Sequence, residues 1–184
     1  MDDSHLIGGV EHRDIVVVDY NPQWPEQFLV ERGLIDEALG PIATRVDHIG
    51  STAVPGLPAK PIIDIQLSVP DTEDEDSYLP DLIAVGYLLR VRQPRHRMVR
   101  TPELDVQIHI CNTGSDWERR HLLFRDWLRH NSADRAAYGD LKRDLARQDW
   151  MDMNAYADAK GPLISVMTER AEAWARATAW RLPQ

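Results

Sequence analysis

Apolar residues at Trp24, Phe28, Ile35 and Leu39 recur at near-helical spacing, with Pro25 where a first turn tolerates it and Gly40-Pro41 as a stop. The pattern predicts a helix there, preceded by a short β-branched strand over Ile15 to Val18 that ends at Asp19-Tyr20-Asn21-Pro22. The period then drops to two. Arg45 to Ile49 and Pro61 to Val69 read as strands on either side of a Gly-Ser turn. The acidic run Asp71 to Asp76 carries Thr72 and Glu75 at capping-box spacing and predicts a helix ending near Gly86-Tyr87. Three more strands follow over Leu88 to Arg92, His96 to Thr101 and Leu104 to Cys111, separated by turns at Pro94 and Pro102.

From Ser115 onward the period is helical. Ser115 and Glu118 form a second capping box, and Trp117, His121, Phe124 and Leu128 make one stripe. Asn131-Ser132 separates this helix from the next. A last helical stretch from Asp152 toward Trp180 is interrupted by Gly161-Pro162. Strands early and helices late predict an α+β fold, a mixed sheet with flanking helices and a helical carboxyl half. One domain over 14–184 is expected, with a flexible polar arm over 1–13.

Composition narrows the partners. A chain of 184 residues, 43% hydrophobic, suffices for one core. The net charge of -9 argues against a nucleic-acid or membrane-surface binder, so an anionic partner would be a small molecule meeting a local patch. Cys111 is the single cysteine, which excludes an internal disulfide, and no apolar run reaches a bilayer span. A cytoplasmic protein is expected.

Strand alternation gathers the candidate chemistry. Asp64, Gln66 and Ser68 share one face, opposite Ile63, Ile65, Leu67 and Val69, while Asp105, Gln107 and His109 share a face opposite Val106, Ile108 and Ile110. Two strands of one sheet would then bring a carboxylate each, plus an imidazole, to a common cleft suited to magnesium; the same alternation also describes a solvated sheet face. Gly50-Ser51-Thr52 has the makings of an anion nest with hydroxyl support, and Lys60 could add a point charge, although the composition equally fits a plain turn. Arg90, Arg92, Arg95, His96, Arg97 and Arg100 form a basic cluster that suits a triphosphate or a hairpin balancing the acidic run. His121, Arg125, Lys142 and Lys160 read individually as exposed or half-buried helical charges, and the six tryptophans as core and helix contacts.

Together, Tyr20-Asn21-Pro22-Gln23-Trp24-Pro25 with Phe28, the whole of His48 to Ile65, Ile108-His109, and His121 with Phe124 to Arg129 make the chain resemble the GrpB family of the nucleotidyltransferase superfamily, whose fold is polymerase-β-like. Tyr138, Leu141, Lys142, Tyr156 and Lys160 continue the resemblance. It implies that Gly50 and Ser51 contact nucleotide phosphates, that Asp64 ligates magnesium, and that the next ligand lies two residues on, where Gln66 stands. A neutral amide is a poor ligand for a hard dication, which puts two-metal chemistry in question. The family's usual His-Leu-His strand reads Gln107-Ile108-His109 here, and Asp105 on the same face would compensate as a further metal ligand and catalytic carboxylate.

The implied activity is transfer of a nucleotidyl group from a magnesium-bound nucleoside triphosphate to a small acceptor. Asp64, Asp105 and His109 would be catalytic, with His109 as general base. Gly50, Ser51, Thr52, Lys60, Arg97 and Arg125 would bind the nucleotide. Asp64, Gln66 and Asp105 would surround the metal. Two alternatives remain: a non-catalytic module for a nucleotide or coenzyme A-related ligand, since related domains occur fused to dephospho-coenzyme A kinase, and a biosynthetic enzyme activating a carboxylate or amine.

Overall fold

Alternation along the strands decides which sheet faces need cover. In the computed structural model, which describes residues 6–9 and 14–183, β1 (Arg45–Ile49), β2 (Ile63–Val69), β3 (Leu88–Gln93), β4 (His96–Arg100) and β5 (Val106–Asn112) form one mixed sheet of order β1-β2-β5-β4-β3. β2 and β5 run parallel at its centre, and the other pairs are antiparallel. The register sets Ile49 opposite Asp64, Asp64 opposite Gln107 and Gln66 opposite His109.

The apolar face of β2 and β5 is covered by α1 (Trp24–Leu39) and α2 (Leu79–Ala84), through Trp24, Phe28, Ile35, Leu39, Leu79 and Leu82. Each fully buried aliphatic or aromatic side chain there contributes about 1.5–3 kcal/mol of transfer free energy. The polar face is covered in part: Gln66 and Ser68 are sealed, while Asp64, Gln107 and His109 stay half-exposed. Gln66 and Ser68 are both 0% exposed, and Ser68 lies against α3 (Asp116–His130). Ser68 Oγ donates to Glu118 Oε1 at 2.6 Å, and Glu118 Oε2 accepts the Gly114 N–H at 2.8 Å. The capping box is thus half realised. Ser115 Oγ accepts the Glu118 N–H, whereas the glutamate carboxylate serves the sheet and Gly114. Glu118→Ala would leave the buried Ser68 hydroxyl with only the Cys111 thiol, 3.7 Å away, as a partner, so equilibrium denaturant unfolding is expected to register a loss of about 1–3 kcal/mol.

The carboxyl half adds α4 (Ser132–Ala146), α5 (Met153–Ala159) and α6 (Gly161–Thr178), packed with α3 around Leu123, Trp127, Leu128, Tyr138, Met167 and Ala171. Lys160 alone separates α5 from α6, which opens on Gly161-Pro162 with the proline in its first turn.

Two sequence expectations change. Ile15 to Val18 is no strand: Val18 makes one antiparallel bridge to Ala59, with both N–O distances 2.9 Å. Thr72 caps no helix, because its N–H and hydroxyl both go to Asn112 Oδ1 at 2.9 and 2.6 Å, and the helix begins only at Leu79. Of the expected arm, residues 1–5 and 10–13 lie outside the described residues, while Leu6 pairs with Val91 and the Arg90 guanidinium holds the Ile7 and Gly9 carbonyls. Among the described residues no helix is long and apolar enough to cross a membrane.

Candidate functional site

The site starts at the turn after β1. Gly50 has φ 69° and ψ -168°, a conformation essentially restricted to glycine, and a Cβ there would stand 2.9 Å from Asp64 Cβ and nearer still to Oδ2. Lacking one, the turn lies directly against the Asp64 carboxylate. Both feet of the turn are held from behind. Arg125 Nη1 donates to the His48 carbonyl at 3.1 Å, and Arg129 Nε and Nη2 donate to the Ala53 carbonyl at 2.9 and 2.8 Å.

The Thr52 hydroxyl faces inward, donating to the Ile62 carbonyl at 3.1 Å and meeting His48 Nε2 at 3.0 Å. That side chain is 1% exposed, so Thr52 braces the turn and does not present a hydroxyl to phosphate as expected from the sequence. His48 stacks on Phe28 with ring centroids 4.9 Å apart; burial lowers its pKa to about 4, so it is neutral and donates through Nε2.

Above the turn stand three lysines, Lys142 and Lys160 from the helical half and Lys60 from the loop before β2. Lys142 in α4 is 3% exposed, and its Nζ donates to Ser51 Oγ at 2.8 Å and to the Pro58 carbonyl. Lys60 and Lys160 flank the Tyr156 ring, their Nζ atoms 5.3 and 4.6 Å from its centroid. Burial, with repulsion from Lys160 and Lys60 and opposed by Asp64, lowers Lys142 to a pKa of about 7; burial and Lys60 hold Lys160 at about 8. Lys142 is therefore buried beside the turn and not the exposed or half-buried helical charge its setting suggested, while Lys160 is half-buried as that reading allows. One signal was available: Lys142 follows Tyr138 by four residues and precedes Leu145 by three, on the buried stripe of α4.

A row of imidazoles leads away from Asp64. His109 Nε2 lies 3.7 Å from Asp64 Oδ1, and His109 Nδ1 lies 3.2 Å from His96 Nε2. Trp117 stacks on His96, His109 and His121, the last with centroids only 3.6 Å apart. His121 Nδ1 is 2.7 Å from the Trp117 carbonyl, which can only accept, so the proton sits on Nδ1 and Nε2 keeps its lone pair. Burial lowers the His121 pKa to about 4, which keeps that ring neutral. Helical periodicity alone reads His121 as an exposed or half-buried helical charge.

Other expected members are elsewhere. Arg97 stands opposite Ile110, on the α1 and α2 face of the sheet, and its guanidinium is engaged by Glu73 at 2.8 Å and by Glu75. Arg92 joins Glu75 and the Arg95 N–H joins Glu73, so the acidic run balances the basic cluster and Arg97 is on the wrong face to meet a nucleotide at Asp64. Asp105 is exposed, with Oδ1 held by the Thr101 hydroxyl at 2.6 Å. Gln66 is sealed in, with neither amide atom hydrogen-bonded. Among the described residues no three His, Cys, Asp or Glu side chains gather around a common metal position. Asp64, half-buried beside the turn, suits one magnesium ion that arrives with phosphates and keeps several waters; Gln66 and Asp105 do not complete a pair of protein-held metals.

Beside the turn a cavity of about 390 Å³ is lined by Gly50, Ser51, His121, Phe124, Tyr138 and Ile164, and Arg125 reaches it from α3.

A mixed sheet with a Gly-Ser turn after its first strand and an aspartate opening the second is a nucleotidyltransferase-like fold. A solved structure of the Cid1 poly(U) polymerase with MgGTP bound superposes with a TM-score of 0.51 at 14% identity, covering 72% of this chain and 45% of that one, a likeness of fold alone. The GrpB protein family model matches residues 14–170, and the chain belongs to the GrpB family. The crystal structure of the conserved protein GrpB from Enterococcus faecalis matches with a TM-score of 0.77 and 32% identity over 86% of this chain and 99% of that one. A UPF0157 protein of Streptomyces coelicolor is 49% identical over 91% of this chain and 90% of its own length.

Proposed function

We propose that this chain binds a nucleoside triphosphate with magnesium between the Gly50-Ser51 turn and the lysines, and transfers the nucleotidyl group to a small acceptor. The observation that carries this reading is the convergence of Lys60, Lys142 and Lys160 on one carboxylate, Asp64, against a glycine turn. A polyphosphate bound here would draw Lys142 and Lys160 fully into their ammonium forms, and a point-charge lysine suits phosphate at such a turn.

In the reaction, an acceptor hydroxyl or amine forms a bond to the α-phosphorus while the bond from that phosphorus to the bridging oxygen of the β-phosphate breaks. Pyrophosphate leaves with the electron pair. Lys142 and Lys160 stabilise charge on the departing phosphates, and Ser51 orients them. His109 takes the acceptor proton, its Nδ1 side supported by His96. Magnesium held by Asp64, when bound, supplies charge neutralisation at the phosphoryl oxygens.

The test is calorimetry with ATP, GTP, CTP and UTP, with and without magnesium, on the wild type and Asp64→Asn, followed by pyrophosphate assay across candidate acceptors. At least one triphosphate is expected to bind about tenfold or more tightly with magnesium, and Asp64→Asn to remove that gain. Binding that ignores magnesium and survives Asp64→Asn, or no binding at all, defeats the reading. A binding module without turnover is favoured by the sealed Gln66 and the tethered Asp105; binding without pyrophosphate release would select it.

A further inference from the structure

A second cleft, of about 660 Å³, lies at the outer edge of β1, between α1 and the α3–α4 pair, and excludes Gly50, Ser51, Asp64 and the lysines. Four of its lining side chains are arginines: Arg32 from α1, Arg125 and Arg129 from α3, and Arg135 from α4. The only acid among its lining residues is Asp47, which accepts two hydrogen bonds from Arg45 at 3.0 and 2.9 Å and also pairs with Arg125 at 3.6 Å, so it serves two guanidiniums. In a protein of net charge -9 this is a local reversal of sign. Asp126 is shared between Arg125 at 2.8 Å and Arg129 at 3.4 Å, so one carboxylate answers two guanidiniums. Arg135 donates to the Leu128 and Arg129 carbonyls, and those bonds bring no compensating charge. Burial first, and the neighbouring Arg125 charge second, push the Arg129 guanidinium below its ordinary pKa, with Asp126 and Asp47 acting against them. Tyr20, Phe28, Leu29 and Pro55 complete the wall with apolar surface.

We propose that this cleft is a second binding site, for a small organic oxyanion: a carboxylate or phosphate whose charged end meets Arg32 and Arg135 and whose apolar part lies on Phe28 and Leu29. Guanidinium forks match both anions, and the wall suits a body of few atoms. Since Arg125 and Arg129 hold the two feet of the Gly50-Ser51 turn, an anion here would sit against the support of the first site without entering it.

Calorimetric titration of the full chain at low ionic strength tests this, with succinate as the carboxylate probe. Inorganic phosphate is titrated into a Lys160→Ala background, where the lysine cleft is weakened. Arg32 and its Asp36 partner are both about half exposed at 3.4 Å, so Arg32→Glu is a fold-neutral substitution, and Arg135→Gln is the second variant. Saturable binding of either probe is expected, weakened about tenfold or more by Arg32→Glu and reduced by Arg135→Gln. Succinate binding is expected to be unchanged by Lys160→Ala. No saturable binding of either probe, binding indifferent to both arginine variants, or succinate binding abolished by Lys160→Ala would each overturn the proposal. Which probe saturates decides between carboxylate and phosphate. Neither outcome bears on triphosphate binding at Asp64, so the two sites stand or fall separately.

Discussion

Lys142→Met is expected to weaken triphosphate binding by about a hundredfold or more while making the unliganded protein more stable at and below neutral pH. The two effects share one cause. Lys142 is 3% exposed and its pKa falls from 10.5 to about 7 because burial disfavours the ammonium. Between those values the unfolded chain holds a proton that the native lysine lacks, so native stability rises with pH across that window, and the full cost of the buried charge is felt below it. Each pKa unit of such a shift corresponds to about 1.4 kcal/mol. Methionine keeps the length of the side chain and removes the charge. Against this, the Pro58 carbonyl loses a donor, a cost of about 1–3 kcal/mol that offsets part of the gain.

Chemical denaturation at pH 6 and pH 9 should therefore show the variant's advantage over wild type shrinking as pH rises. A bound polyphosphate favours the ammonium form of Lys142 and Lys160. Binding near pH 8 should then take up protons, and affinity should fall as pH rises from 7 to 9. Calorimetry in buffers of different ionisation enthalpy measures the uptake. A Lys142→Met protein that binds triphosphate as tightly as wild type would remove Lys142 from the site.

Gly50→Ala should be the most damaging single-atom addition in the chain. The φ of 69° with ψ of -168° costs a non-glycine residue about 1–3 kcal/mol by itself. In addition, the new methyl would meet Asp64 Cβ at 2.9 Å, across an antiparallel pair that cannot separate without breaking the sheet register. A loss of about 3 kcal/mol or more in unfolding free energy, with triphosphate binding undetectable, is expected. Gly56→Ala supplies the control: Gly56 has φ 78° with nothing within 4 Å of an added Cβ, so only the conformational penalty applies. Equal losses in the two variants would mean that the close approach of Gly50 to Asp64 has no energetic weight.

Much of the fold was legible because its determinants are local. The two-residue alternation of β2 and β5 assigns their faces whatever packs on them, and the glycines, prolines and the Ser115 cap mark boundaries by constraints that act within a few bonds. The same local reading failed at Thr72, where capping-box spacing lost to Asn112, a residue distant in sequence that satisfies both the hydroxyl and the N–H. Arg97 was misplaced for a related reason. Strand parity puts it with Ile110, and only the sheet order shows which face looks toward Asp64.

By itself, the sequence determined a Gly-Ser turn between two strands, an aspartate at the start of the second, the sheet's two faces and a helical carboxyl half. Each depends on backbone conformation or side-chain periodicity, which a residue and its near neighbours impose. Only the tertiary structure decided what meets at the turn. It brings Lys142 and Lys160 from distant helices to Ser51 and Asp64, turns Thr52 inward, seals Gln66 in the interior and crowds arginines at the edge of β1. Charge and burial at a point in space are sums over every segment packed there, and no local pattern contains them.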